Sequence, residues 1–253
     1  MPPVTTTASL SSGDHAQQTI TLPCQHSDQA YDIAVYMAGE IRKNVVSTEA
    51  QSIRDNNNYS ATRVFEKFQA DPDLYDWVKS AGEAYFIIQE KKAYGAARTK
   101  WAWLVKPKGD WDHKGPIARR FVSTNNSTRY HHKYQDFEYF YDIWSNIHYG
   151  YVGRDVGFSA ATLLDGAGTA QVISDAISLG REVTDRSSIN GDGHRRYDDT
   201  TDQLSVQLGM DLYQQYPDAA QLTADVLMAA ITQVAYEMRP ASKLRHRCGP
   251  HHD

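Results

Sequence analysis

The chain is short of cysteine, of long apolar runs and of surplus positive charge, and each shortage removes a class of protein. Its two cysteines, Cys24 and Cys248, stand in the two terminal segments, so no disulfide framework is expected. Neither has CxxC or zinc-finger spacing, and no metal or cofactor is expected. No segment approaches about 18 uninterrupted apolar residues, so no membrane span is expected. Met1 to Thr21 has no basic start and no apolar core, which excludes a standard cleaved signal peptide. Lys and Arg number 26 against 31 Asp and Glu, for a net charge of −5. No global basic field is therefore available to hold a phosphate backbone, although a local patch stays open. GxSxG, HExxH, Walker and internal-repeat patterns are missing as well.

What is present is an ordinary soluble composition, 41% hydrophobic over 253 residues, with 16 Tyr and 5 Trp. That length supports one large domain or two small ones. Residues 1–27 are Ser/Thr-rich and read as a flexible leader. Residues 241–253 read as a basic flexible tail, where Cys248, His246, His251 and His252 fit no established metal spacing. Between them, residues 28–240 read as a single compact helical domain, mainly α, with at most a small β element near 101–105.

Apolar residues at Ile33, Met37, Ile41 and Val45 predict a helix over 28–46. Asp71-Pro72 predicts a helix start running through Trp77, Tyr85 and Ile88. Phe137, Tyr141, Trp144 and His148 predict another helix. Ser159 predicts a capped short one, Gly168 to Leu179 a further one, and Asp199 with Asp202 an acidic first turn before Gln203 to Tyr216. Asp218 predicts the start of a last amphipathic helix through Met238. Trp101 to Val105 is the best strand candidate. The glycine-aspartate loop around Asn190 to Gly193 does not match the oxygen spacing of an EF-hand.

Three clusters carry candidate chemistry. On the first helix, Glu40 falls ~20° from Ile33 at 100° per residue, and Asn44 shares that stripe. A carboxyl among apolar neighbours has its charged form disfavoured, which suits a general acid; pairing with a cation at the core rim is the plainer alternative. The run Tyr141 to Arg154 joins Asp142, Asn146 and His148 to Trp144, Tyr149 and Tyr151, then meets Gly150 and Gly153, which permit a sharp turn or close approach to a ligand. Trp111-Asp112-His113-Lys114 is a polar, loop-like cluster.

These residues resemble the polymorphic toxin type 44 domain of bacterial conflict systems. Met37-Ala38-Gly39-Glu40 with Asn44 is similar to that family's first helix, and Trp111-Asp112-His113-Lys114 resembles its WDxK element. Tyr141 to Gly153 is similar to its longest motif. Gly166-Ala167-Gly168 with Gln171, and Asp199, Asp202, Gln203 and Gly209, resemble its later signatures. The resemblance spans most of residues 30–216. It implies an interbacterial antagonism toxin made in the bacterial cytoplasm and exported into a target cell, with a cognate immunity protein and a secretion-machine component or adaptor as partners. A short leader without a cleaved signal suits a free-standing cargo effector.

Three activities remain open at this point. A glycan-strand (peptidoglycan) hydrolase acting in the periplasm needs an acid, a second carboxylate and aromatic walls. Glu40 supplies the first, Asp142 or Asp112 the second, and Trp111, Trp144, Tyr149 and Tyr151 the walls. Lysozyme-type architecture is an analogy at fold level. A metal-independent RNase acting in the cytoplasm would use His148 as base, with Lys114 or Arg154 on phosphate. A non-enzymatic secretion adaptor would use the cleft for docking. Catalytic candidates are thus Glu40, Asp142 and His148. Substrate-binding candidates are Asn44, Trp111, Asp112, Lys114, Asn146, Tyr149, Gly150, Tyr151, Gln171, Asp199 and Asp202. The acidic charge favours the glycan.

Overall fold

The structure, a computed structural model, describes residues 3–7, 19–122, 130–166 and 200–248. It is mainly helical, with a small β element. Helix α1 (Gln29–Val45) buries Ile33, Met37 and Ile41, as its apolar stripe predicts. Serine caps set off the next two helices. Ser47 accepts from Ala50 N at 3.1 Å to open α2 (Thr48–Asn57), and Ser60 accepts from Arg63 N at 3.3 Å to open α3 (Ala61–Gln69). Both pack on the long helix α4 (Asp76–Val105).

Helix α4 corrects two expectations. Asp71 does not open it, because its carboxylate accepts from Asp73 N at 2.9 Å in a turn and the helix starts at Asp76. Trp101 to Val105 is no strand: these residues are the last turns of α4, with Trp101 and Leu104 buried against the core. Tertiary packing there outweighs the β preference of Trp and Val.

The small β element lies elsewhere. After α5 (Lys114–Arg120), β3 (His131–Tyr134) and β4 (Phe137–Phe140) form a hairpin, and Phe137 therefore belongs to a strand. The strand β5 (Lys243–Arg245) completes an antiparallel sheet in the order β3-β4-β5. Residues 241–248, read from sequence as tail, thus hold an edge strand. The leader likewise contributes a hairpin of β1 (Pro3–Thr7) and β2 (Thr19–Pro23).

Helix α6 (Asp142–Asp155) runs without a break through Gly150 and Gly153. It lies along α7 (Thr200–Gln215), and Gly150 with Gly209 sets how close the two helices come, while Gly153 faces Leu163 and Trp101. A Cβ on Gly150 would stand 2.1 Å from Val206 O, and one on Gly209 would stand 2.1 Å from Ile147 O. These glycines serve backbone contact between helices, not the ligand approach expected of Gly150. Asp218 caps a 3₁₀ turn (Ala219–Gln221), and Thr223 caps the last helix, α8 (Ala224–Gln233). Residues 160–166 form a helical turn capped by Ser159, while Gly168 to Leu179 lies outside the described residues. One hydrophobic cluster runs from Ala30 on α1 to Tyr236, with Trp144, Ile147 and Tyr151 of α6 in its middle.

Candidate active site

Four elements bring polar side chains to one place. Helix α1 offers Tyr36, Glu40 and Asn44, spaced four apart and so on one face. The entry to α5 offers Asp112, His113 and Lys114. Asp112 fixes that entry by accepting from Lys108 N at 2.8 Å and Lys114 N at 3.2 Å. Helix α6 offers Asp142, Ser145, Asn146 and His148, and α7 offers Asp202. The close α6–α7 crossing lets Asn146 Nδ2 donate to Asp202 Oδ1 at 2.7 Å.

The lower layer is sealed. His148 is fully buried, and its Nε2 lies 2.8 Å from the Asn44 amide nitrogen. An amide N–H donates, so Nε2 accepts and the ring proton sits on Nδ1. The His113 ring meets His148 edge-on with centroids 4.4 Å apart, and Tyr36 Oη lies 3.2 Å from His113 Nδ1. His113 N also donates to Ser145 Oγ at 3.3 Å. Burial, with His113 adding to it, holds the His148 pKa well below the usual imidazole range. Burial lowers His113 too, against the opposing pull of the Glu40 and Asp112 charges.

The upper layer is charged and open to solvent. Lys114 Nζ lies 2.6 Å from Asp142 Oδ1. Burial alone would lower the lysine pKa, but the charges of Asp142, Asp202 and Asp112 outweigh it and raise the pKa well above its ordinary value. Glu40 lies close enough to His113 and Tyr36 for its charge to act on both. Its surroundings differ from the apolar pocket expected: Lys43 Nζ stands 3.2 Å away, and the Glu40 side chain keeps 21% exposure.

Of the residues singled out in the sequence, Glu40, Asn44, Asp112, Lys114, Asp142, Asn146, His148 and Asp202 converge here. The aromatic walls do not. Tyr151 is buried in the core, where its hydroxyl donates to Tyr216 O at 2.6 Å. Trp144 is buried as well, and Trp111 packs edge-on against Trp101 with ring centroids 5.7 Å apart. Tyr149 is half-buried, donating to Leu163 O at 3.2 Å. Gln171 and Asp199 lie outside the described residues. Sequence reasoning missed Tyr36 and Ser145, and passed over His113 within its own motif. Tyr36 stands one helical turn before Glu40, and that spacing could have found it.

Residues 100–215 match the family model described as Bacterial toxin 44. The matched stretch includes the Trp111 to Lys114 cluster, all of α6 and all of α7 with Asp202. Helix α1, with Glu40 and Asn44, lies before it, so the match is shorter than the span expected from the motifs. No curated protein and no solved structure matches the chain. Over residues 100–215 the chain is thus similar to the Bacterial toxin 44 family, which supports a bacterial toxin role.

Proposed function

We propose that the toxin hydrolyses the glycan strands of the bacterial cell wall, with Glu40 as the proton-transferring group. The observation that carries this reading is the sign of the patch. Asp112, Asp142 and Asp202 engage the charge of Lys114, and Glu40 adds a further negative charge beside the neighbouring His113. Nearby Arg42 is also committed, donating to Leu222 O at 3.0 Å. An RNA backbone would meet uncompensated negative charge there, whereas sugar hydroxyls donate hydrogen bonds to carboxylates.

Each carboxylate has its own setting. Asp112 is tied to backbone amides, Asp202 accepts from Asn146, and Asp142 is held by Lys114. Glu40 is paired with a lysine whose side chain is 70% exposed, a partner that water screens and that can swing away. Glu40 is therefore the carboxyl held least firmly in place, and the one that can turn toward a substrate oxygen. Asp142, its charge fixed by Lys114, is placed to stabilise positive charge developing on the sugar or to orient water. Tyr36, Tyr141 and Tyr130 take over the stacking role expected of the tryptophans. Tyr36 and Tyr141 are half-buried, Tyr130 is exposed, and the Tyr130 and Tyr141 rings lie 5.0 Å apart.

His148 serves here as a positioning residue, because a neutral imidazole sealed in the core touches no substrate. Among the described residues no helix is long and apolar enough to cross a membrane. The reading places the toxin in the periplasm of a target cell and implies an immunity protein that covers the charged patch, as well as an export partner.

The test directs the chain to the periplasm and, separately, to the cytoplasm of a susceptible bacterium, and measures reducing ends released from purified cell wall. Lysis from the periplasm alone is expected, with Glu40→Gln lowering release by about 100-fold or more. Growth arrest with degraded RNA from the cytoplasm would replace this reading with the RNase. Absence of toxicity in both compartments would favour the adaptor.

A further inference from the structure

Two segments outside the toxin match meet beside the sheet. Cys24-Gln25-His26 follows β2, and His246-Arg247-Cys248 follows β5. In extended chain, residues two apart point to the same side, so each segment presents one sulfur and one imidazole together. The sulfur and nitrogen atoms of Cys24, His26, His246 and Cys248 all lie within 4.8 Å of one another. The two cysteines are joined as a disulfide.

We propose that, once its cysteines are reduced, this cluster is a tetrahedral zinc site that ties the two ends of the described chain together. Four soft or borderline donors of two kinds, S₂N₂, are the set that Zn²⁺ prefers. Zinc bonds of about 2.3 Å to sulfur and 2.0–2.1 Å to nitrogen give tetrahedral edges of about 3.3–3.8 Å. His246 Nε2 lies 3.4 Å from Cys24 Sγ and 3.4 Å from Cys248 Sγ, and His26 Nδ1 lies 3.9 Å from Cys248 Sγ. These edges need little adjustment. The nitrogen–nitrogen edge must widen from 2.9 Å, and the sulfurs must part.

A second observation points to a metal. His246 Nδ1 donates to Glu138 Oε1 at 2.8 Å, and both side chains are almost fully buried, at 1% and 2% exposure. Such a carboxylate behind an imidazole fixes the tautomer, turns the Nε2 lone pair inward and strengthens it as a ligand. That lone pair faces two sulfurs, which carry no proton as a disulfide, and accepts the Nδ1 proton of His26 at 2.9 Å. With that proton moved to the far nitrogen of His26, four electron-pair donors converge there, and a cation is what such a group binds.

Chemically, a dithiol gives two electrons and two protons to the S–S bond and leaves as its own disulfide. Zn²⁺ then displaces the two thiol protons, and two thiolates balance its charge. The site is independent of the glycan reading, and metal binding can be measured without any toxicity assay.

The experiment uses the full chain, reduced with a dithiol and stripped of metal. It is titrated with Zn²⁺ against a chromophoric chelator, and with Co²⁺ by visible spectroscopy. One equivalent is expected, with sulfur-to-cobalt charge transfer and tetrahedral d–d bands, and zinc should protect both thiols from alkylation. His26→Ala or Cys248→Ser should weaken binding by at least about 100-fold, and Glu138→Gln by about 10–100-fold. The unsubstituted protein reads the site even if a cysteine variant misfolds. Cobalt spectra without sulfur charge transfer, or thiols alkylated equally fast with and without zinc, would overturn the proposal.

Discussion

His148 on α6 and His246 beyond β5 each have one side chain holding one ring nitrogen at 2.8 Å, but the partners differ. Asn44 offers His148 a neutral amide inside a sealed core. Glu138 offers His246 a carboxylate, and the ring's far nitrogen faces two sulfurs and a second imidazole. The amide gives its partner no reason to carry charge, and burial keeps that ring neutral. The carboxylate makes its partner a better electron-pair donor. One residue type thus becomes scaffold in the first place and metal ligand in the second, and what stands behind the ring decides which.

The largest effect that tests this contrast belongs to the terminal cluster. The Cys24–Cys248 bond closes a loop with a sequence separation of 224 residues. Reduction without metal should lower stability by about 5 kcal/mol, since cross-links of long loops restrict the unfolded chain most. Zinc added to the reduced chain should restore most of that loss. Urea midpoints of the oxidised, reduced and zinc-loaded forms provide the measurement. An unchanged midpoint on reduction would mean that the cluster holds nothing together, and the contrast would lose one side.

The terminal cluster was also the part least legible in the sequence. Cys24 and His246 are 222 residues apart, and each ligand pair is split by one residue instead of the two to four of familiar zinc motifs. Only a strand carrying β5 to β4 shows that the ends meet. Helix α1 was legible to within a residue or two at each end because its apolar stripe has a clear helical period. Gly150 misled because a glycine inside a helix gives the same sequence signal whether it turns the chain or admits a neighbouring backbone. Trp111 and Tyr151 misled because aromatics that could stack on sugar are the same residues that fill a core. The convergence of Glu40, Lys114, Asp142 and Asp202 was visible only as separate motifs, since nothing in a sequence states that α1, α5, α6 and α7 share a corner.

At the buried site, His148→Ala should cost about 3 kcal/mol, because it opens a cavity and leaves the Asn44 amide without its acceptor. His26→Ala in the oxidised chain should cost less than about 1 kcal/mol, since that ring is half-buried and the disulfide remains. Chemical denaturation of the two variants compares the sites directly. If His148→Ala keeps full stability yet abolishes wall cleavage, His148 acts on substrate and the scaffold assignment fails.

The finest test is the acid limb of stability, read one imidazole at a time. Burial lowers the pKa of His132 to about 4, offset in part by its hydrogen bond to Phe121 O. In the unfolded chain the ordinary value of about 6.5 applies, so as pH falls below it the unfolded state takes up the proton first. The contribution of neutral His132 is therefore complete above about pH 6.5. It declines by up to ~1.4 kcal/mol per pH unit towards pH 4, then levels off once the folded state also binds the proton. His113, His131 and His148 shift in the same direction and add to the slope. His132→Gln keeps a donor for Phe121 O but cannot titrate, so unfolding free energies measured from pH 7 to pH 4 should flatten by about one proton. An unchanged slope would mean that His132 is already solvated in the native state, and the neutral burial that defines the core imidazoles would no longer hold for it.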